Sequence, residues 1–230
     1  MLALCLLLVA GLCWLGVWQL DRAAYKRTLE ARYFDNLAAL PLVEQNLKGM
    51  KYVKDKNPEI AFRSLNLTGR YLGEKTFLLD NQTYKTRVGY RVITVFESNT
   101  EQYYLIDRGW IPAGTSRADL PHPEVHSNEV MLQGVVWPNL GLVPLLKDSA
   151  LDTTWPKRIQ RINMERLQKI MGVQVFPYLL RLEARQAGSF VVQIRQVSFS
   201  AERHTAYAVQ WFGLAITLLI GLIILVRKQG

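Results

Sequence analysis

The sequence predicts two transmembrane α-helices, N- and C-terminal, flanking an α+β extracytoplasmic domain that is mainly antiparallel β with short helices. Residues 2–20 and 205–226 contain no charged side chain, and each stretch reaches the ~20 residues that cross the ~30 Å hydrocarbon core of a bilayer. Residues 21–204 hold all 19 acidic residues and carry the alternating patterns of β-strands. The mean hydropathy of +0.04 therefore averages two segments suited to lipid and one suited to water.

These features restrict the class of protein. The two apolar segments argue against a purely soluble protein, and two spans are too few for a polytopic transporter. The segment between the spans is about one domain long and can bury a hydrophobic core. We therefore expect one folded domain, residues 21–204, attached to the membrane at both of its ends.

The charges next to the spans predict the orientation. Arg227 and Lys228 follow the second span, and positive residues at this position favour the cytoplasmic side. Arg22 and Lys26 follow the first span, but long loops translocate largely regardless of charge. We therefore expect cytoplasmic termini, including the tail 227–230, and a periplasmic domain. The first span lacks a cleavage site and no arginine-rich transit peptide precedes it, which favours a retained anchor in a bacterial inner membrane.

The cysteines limit the chemistry of the domain. Cys5 and Cys13 both lie in the first span, so the domain has no thiol for disulfides, cysteine zinc sites or iron–sulfur clusters. The two residues are ~12 Å apart along a helix, too far to form a disulfide with each other. We interpret them as small residues that pack in the membrane.

The domain begins with a helix that continues out of the first span. Leu29, Tyr33 and Leu37 recur every four residues, and Pro41 ends the pattern. Residues 42–58 and 112–128 are predicted loops. A short helix is predicted over Met164–Met171, with Asn163 as its N-cap and Gly172 just after its end.

The remaining patterns are typical of strands. Val88–Glu97 and Tyr103–Ile111 are rich in β-branched and aromatic residues and are predicted to form a hairpin, as are Tyr178–Glu183 and Phe190–Gln196. Further strands are predicted at 65–71, 75–80, 129–137 and 158–162. Several antiparallel strands with few helices indicate a small barrel or sandwich.

The sequence shows no catalytic motif: nucleophile elbow, phosphate-binding loop, dinucleotide fingerprint and zinc protease motif are all absent. We therefore expect no enzyme activity. His122 and His126 have a spacing that would suit a metal site on a helix, but the proline between them favours an exposed loop. The basic residues are spread along the chain, which argues against nucleic acid and favours a solvated surface, with the lipid bilayer as a natural partner.

His204 differs from the other histidines because it lies at the entrance of the second span. In a helix it shares a face with Tyr207 and Trp211. At ~1.5 Å per residue, an antiparallel pair of spans brings Arg22 level with Arg203 and His204, and Trp18 level with Tyr207. If these faces meet, they enclose a half-buried pocket that also contains Trp14, Gln19 and Gln210.

Two interpretations of this cluster remain open. Histidine, tryptophan, tyrosine and arginine are common anchors at a membrane interface. One imidazole under a basic rim is also what a membrane haem requires, because imidazole ligates iron and arginines can meet the propionates. A single axial ligand would suit a carrier that must release its haem.

Several segments resemble the surfeit locus protein 1 family. They run in order over almost the whole chain: LGVWQLDR at 15–22, VGYRV at 88–92, LIDRGWIP at 105–112, the segment 155–178, and RHTAYAVQWF at 203–212. The resemblance implies a two-span inner-membrane assembly factor for haem–copper terminal oxidases. Bacterial members of that family are implicated in binding haem a and helping its insertion.

The resemblance also implies particular residues and partners. The histidine implicated in haem binding corresponds to His204, the haem ligand by this interpretation. The implied partners are the catalytic subunit of the oxidase and haem a synthase. The alternative is a structural scaffold that stabilises an oxidase assembly intermediate without binding haem.

The motif Asp107–Trp110 has a structural interpretation. We expect Gly109 to form a bulge, Trp110 to pack in the core, and Asp107 to pair with Arg108 at a strand end. The alternative is a direct contact with a partner protein.

Overall fold

The computed structural model describes residues 2–47, 50, 59–116, 119–125, 128–138, 154–192 and 201–229. The chain divides into two compact units. One unit comprises Met1–Phe34 and Arg195–Gly230, and the other comprises Asp35–Ile194. The first contains most of helix α1 (Leu2–Ala38) and helix α3 (Ala201–Gln229), and the second contains the strands and helix α2 (Met164–Met171).

Helices α1 and α3 are the predicted spans. Both are long and apolar enough to cross a membrane. Helix α1 continues without interruption from residues 2–20 into residues 21–38, which confirms the predicted extension beyond the first span. It ends three residues before Pro41, whose ring cannot be accommodated inside a helix.

The second unit is a small barrel. Its strands are β1 (Ser64–Tyr84), β2 (Arg87–Ser98), β3 (Tyr103–Pro112), β4 (Val130–Trp137), β5 (Lys157–Ile159) and β6 (Val175–Leu182). Pairing runs in the order β2, β3, β6, β4, β1, and β1 also pairs with β2, so five strands close on themselves. Strand β5 adds in parallel to β1 outside this ring. The ring is antiparallel except between β3 and β6, as the mainly antiparallel prediction required.

The length of β1 makes closure possible. The sequence indicated separate strands at 65–71 and 75–80, whereas one strand spans both. Its register with β2 shifts between Leu72 and Thr76 and again between Leu79 and Gln82, and such irregularities bend a strand. The first part, Ser64–Gly69, pairs with β4, and Gly69–Tyr84 pairs with β2.

The hairpin of β2 and β3 is confirmed, but the second predicted hairpin is wrong in the part that the structure describes. Strand β6 pairs with β3 and β4 instead of Phe190–Gln196. Val191 forms a bridge with Trp110 of β3, and residues 193–196 lie outside the described residues. The parallel pairing of β6 with β3 joins strands that are distant in sequence, so no turn motif could predict it.

Helix α2 has its predicted bounds and caps. The Asn163 side chain accepts a hydrogen bond from the Arg166 backbone N–H at 3.1 Å, and Gly172 adopts a left-handed conformation with φ 71°. Of the predicted loop 42–58, Glu44–Leu47 forms a short 3₁₀ helix, and residues 48–49 and 51–58 lie outside the described residues.

Two groups of apolar side chains cover the two faces of the sheet. The inner group draws Leu65, Phe96, Tyr104, Leu132 and Leu180, among others, from all five ring strands. The outer group packs strand residues against the α2 side chains Met164, Leu167 and Met171. Because both faces are covered, β2 and β3 are buried almost continuously.

Candidate functional site

Helices α1 and α3 pack against each other in antiparallel orientation. The interface side of both helices carries small buried residues: Gly16, Ala23, Ala201, Ala208 and Ala215. They recur every seven residues along each helix, which places them on one side of it. A Cβ added to Gly16 would lie 2.6 Å from the Phe212 ring, so the backbone of α1 lies against this side chain of α3.

His204 and Gln19 meet across this helix pair. The distance between His204 Nδ1 and Gln19 Oε1 is 2.7 Å. A carbonyl oxygen can only accept a hydrogen bond, so Nδ1 carries the hydrogen. A neutral imidazole then has its lone pair on Nε2, which has no hydrogen-bond partner among the described residues.

A second polar contact joins the helices beyond His204. Arg27 Nη2 donates to Thr205 Oγ1 at 3.1 Å. The contacts of Gly16 with Phe212 and of Gln19 with His204 lie at the levels expected for antiparallel spans. His204 contacts Gln19, three residues along α1 from Arg22, the residue expected at its level, so the rise per residue predicted the relative depth to within about one helical turn.

Trp211 is the other predicted site residue on the interface side. It is partly buried, and its indole Nε1 is buried without a hydrogen-bond partner in the described part of the chain. An unpaired buried donor is costly, particularly at membrane depth.

The other predicted site residues point outward from the helix pair. Trp14, Trp18 and Tyr207 are 67%, 40% and 52% exposed, and Arg22 and Arg203 are exposed as well. The Arg22 guanidinium lies 5.4 Å from the centroid of the Trp18 ring. The aromatic side chains thus do not form the enclosed pocket that depth matching suggested, because the small residues occupy the interface.

The barrel contains a second polar cluster, centred on Asp107. The Asp107 side chain is 1% exposed and forms salt bridges with Arg91 and Arg181. The Arg181 guanidinium also lies 3.5 Å from the centroid of the Trp137 ring. The predicted pairing of Asp107 with Arg108 is wrong, because neighbouring residues of a strand point to opposite faces. This cluster forms only when strand pairing brings its residues together, so no motif in the sequence could have indicated it.

Arg108 is a buried cation that carries no salt bridge among the described residues. Its guanidinium donates to the carbonyl oxygens of Gly188 and Glu124 and to Thr94 Oγ1, and it lies over the rings of Tyr71 and Phe190. Burial lowers the pKa of Arg108. Arg108 therefore holds two loops against the barrel.

The predicted roles of Gly109 and Trp110 are confirmed. Gly109 has φ +108° at a shift in register between β2 and β3. A Cβ at this position would lie 2.8 Å from the Val191 carbonyl oxygen, so only glycine permits the close approach. Trp110 is buried, and its Nε1 donates to the Gln82 carbonyl oxygen at 3.0 Å.

The structure describes one of the two histidines of the predicted loop 112–128. His122 is exposed, as predicted, and His126 lies outside the described residues. Within the described ranges, no cluster of three or more histidine, cysteine or acidic residues could hold a metal ion.

Comparison with known proteins gives consistent matches over most of the chain. The model of the SURF1 family matches residues 6–216. A SURF1-like protein of Rickettsia conorii is 23% identical over 223 residues, covering 93% of this chain and 86% of the relative. A SURF1-like protein of Rickettsia bellii is 22% identical over 213 residues, with 90% and 82% coverage. These matches include both membrane helices and the barrel.

Proposed function

The chain belongs to the SURF1 family, and from this premise we propose that it is an assembly factor for a haem–copper terminal oxidase. In this proposal it binds haem a and assists its insertion into the catalytic subunit of the oxidase. It performs no catalysis of its own. The proposal is supported by the family match, by the two apolar helices and by the position of His204.

The observation that carries the haem assignment is the state of the His204 imidazole. Gln19 holds Nδ1 at 2.7 Å, which leaves the Nε2 lone pair for a metal. Histidine ligands of metals usually have their second nitrogen engaged in this way, because that hydrogen bond fixes the tautomer and the ring orientation.

The surrounding residues fit a haem group at one side of the helix pair. His204 would hold the haem iron, and Arg22 and Arg203 would supply positive charge for the propionates. Trp18, Tyr207 and Trp211 would offer flat apolar surface. A bound haem would be the cofactor that is transferred to the oxidase. This chain would bind it, orient it and release it.

The protein's partners follow from this role. A single histidine ligand holds haem less firmly than two, which suits transfer to the catalytic subunit of the oxidase. Haem a synthase is the proposed donor. We place the protein in the inner membrane of a bacterial cell, with the barrel in the periplasm, because Arg227 and Lys228 lie in the last turn of α3 and positive residues at the end of a span favour the cytoplasmic side.

The test is a comparison of purified proteins from cells that make haem a. We expect the parent to carry haem a, and His204→Ala to retain less by about tenfold or more, as is typical when a metal ligand or its support is lost. Haem extraction and absorbance spectra measure the difference. His122→Ala is the matched control, because it removes an exposed histidine of the barrel unit and should leave the haem content unchanged.

The same experiment separates the alternative function. A parent without haem, or a His204→Ala variant with as much haem as the parent, would make the ligand assignment wrong. If such a variant still supports oxidase assembly in cells, the protein acts as a scaffold for an assembly intermediate. The family match supports both functions, and the Gln19–His204 contact favours the first.

A further inference from the structure

We infer that Gln19 of α1 is the positioning residue for His204 of α3, so that the haem ligand is built from both membrane helices. Gln19 fixes the imidazole as the Nδ1–H tautomer and presents Nε2 to the iron. This inference rests on the proposed function. It assigns a specific role to a residue of α1, whereas the ligand itself belongs to α3.

The geometry of the contact sets the direction of the hydrogen bond. The 2.7 Å separation joins Nδ1 to the amide oxygen of Gln19, and an oxygen of this kind has no hydrogen to donate. With the Gln19 amide in this orientation, the imidazole donates from Nδ1. Without Gln19, nothing in the described part of the helix pair holds the hydrogen on that nitrogen.

The packing of the helices fixes the distance between the Gln19 amide and the His204 imidazole. Gly16 lies one turn from Gln19, and its backbone touches the Phe212 ring. Arg27 and Thr205 form a further contact between α1 and α3. Close contacts on both sides of Gln19 along α1 therefore hold the amide and the imidazole in register.

The environment makes the pair mutually dependent. Gln19 and His204 are both partly buried and lie at the ends of the apolar segments. A polar side chain there is costly unless it forms a hydrogen bond, and such bonds join membrane helices. Each residue is therefore the natural partner of the other.

The contact also sets the chemistry of the ligand. An acceptor on Nδ1–H increases the basicity of the opposite nitrogen, and a carboxylate is a stronger acceptor than an amide. A more basic ligand favours the ferric state of a bound haem. The reduction potential of the bound haem therefore reports on this hydrogen bond. A purely structural role of Gln19 would leave that potential unchanged.

The test uses the full-length protein in detergent with three variants. Gln19→Leu removes the acceptor at similar size, and Gln19→Glu strengthens it. Thr217→Val is the matched control, because Thr217 is an exposed polar residue of α3 whose hydroxyl donates to the Gly213 carbonyl oxygen of the same helix. Nitrogen NMR of histidine-labelled protein without haem reads the tautomer of His204, with His204→Ala used to assign its signals. Haem a content and reduction potential are then measured in the loaded proteins.

We expect the parent and Thr217→Val to show the Nδ1–H tautomer, and Gln19→Leu to lose it. Haem content should fall by about tenfold in Gln19→Leu, the usual effect of removing such a supporting partner, and Gln19→Glu should lower the potential below that of the parent. An unchanged tautomer in Gln19→Leu overturns this inference whatever the haem result. A parent that takes up no haem a overturns the proposed function.

Discussion

At the scale of single residues, Asp107 stabilises the barrel because it forms salt bridges with two arginines at once. Its buried carboxylate contacts Arg91 of β2 and Arg181 of β6, one on each side of β3. Removing one partner of a buried ion pair leaves a charge without compensation, which typically costs ~3 kcal/mol or more. We therefore expect Asp107→Asn to lower the free energy of unfolding by about 3 kcal/mol, as measured by urea unfolding followed by circular dichroism.

Arg70→Ala is the control for this variant. Arg70 pairs with Glu97 on the surface, where ion pairs contribute little because water screens them. An Asp107→Asn protein as stable as Arg70→Ala would show that the cluster has no structural role.

Gly109 gives a second prediction at this scale. With φ +108° and a Cβ position 2.8 Å from the Val191 carbonyl oxygen, an alanine would be strained and would also displace the segment around Val191. We expect Gly109→Ala to cost about 1–3 kcal/mol from the backbone conformation alone. Gly114→Ala, whose nearest contact would be 3.6 Å, should be close to neutral in the same unfolding experiment.

At the scale of elements, the contact between α1 and α3 depends on Gly16. Gly16→Leu would place a branched side chain where the Phe212 ring lies, so we expect the helices to separate. Cys13 and Ala215 each lie three residues from this contact, at the same level on the interface side. Crosslinking of Cys13 to an Ala215→Cys partner, with Cys5 replaced by alanine, therefore measures the separation.

The control for the helix pair is Gly11→Leu, because a Cβ at Gly11 meets nothing within 4 Å. This variant should crosslink as well as the parent background, and Gly16→Leu should crosslink several-fold less. Equal yields from the two variants would show that small residues do not determine the packing.

The elements also show what the sequence could and could not predict. The bounds of α2 followed from Asn163 and Gly172, since capping is a local interaction. The pairing of β6 with β3 could not be predicted, because it joins segments about 70 residues apart. For the site, the rise per residue gave the depth of His204 relative to α1. The outward direction of Trp18 could not be predicted in this way, because it depends on which residues of α1 pack against α3.

At the scale of the whole molecule, buried tyrosines make the free energy of unfolding decrease at alkaline pH. Burial raises the pKa of Tyr71, and burial together with the nearby Glu44 carboxylate raises that of Tyr104. Above pH ~10 the unfolded chain loses these protons while the folded barrel keeps them. Stability is therefore complete below pH ~10 and falls above it, by up to ~1.4 kcal/mol per pH unit for each tyrosine.

Tyr104→Phe tests this dependence. The variant loses the hydrogen bonds from the hydroxyl to Glu44 and Gln102, so we expect it to be less stable by about 1 kcal/mol at neutral pH. Its stability should then decline less steeply than that of the parent above pH ~10. Urea unfolding at several values from about pH 8 to about pH 11 compares the slopes. Parallel curves would contradict the assignment.

The order of the elements along the chain has a consequence for encounters with other proteins. The barrel lies between two apolar helices in sequence, so once both helices are inserted it cannot diffuse away from the lipid surface. A search for a membrane-embedded partner then takes place in two dimensions instead of three. Tethering of this kind raises the effective concentration of a weak partner without any new contact. A barrel surface of modest intrinsic affinity is therefore sufficient for a transient complex that forms, acts and separates.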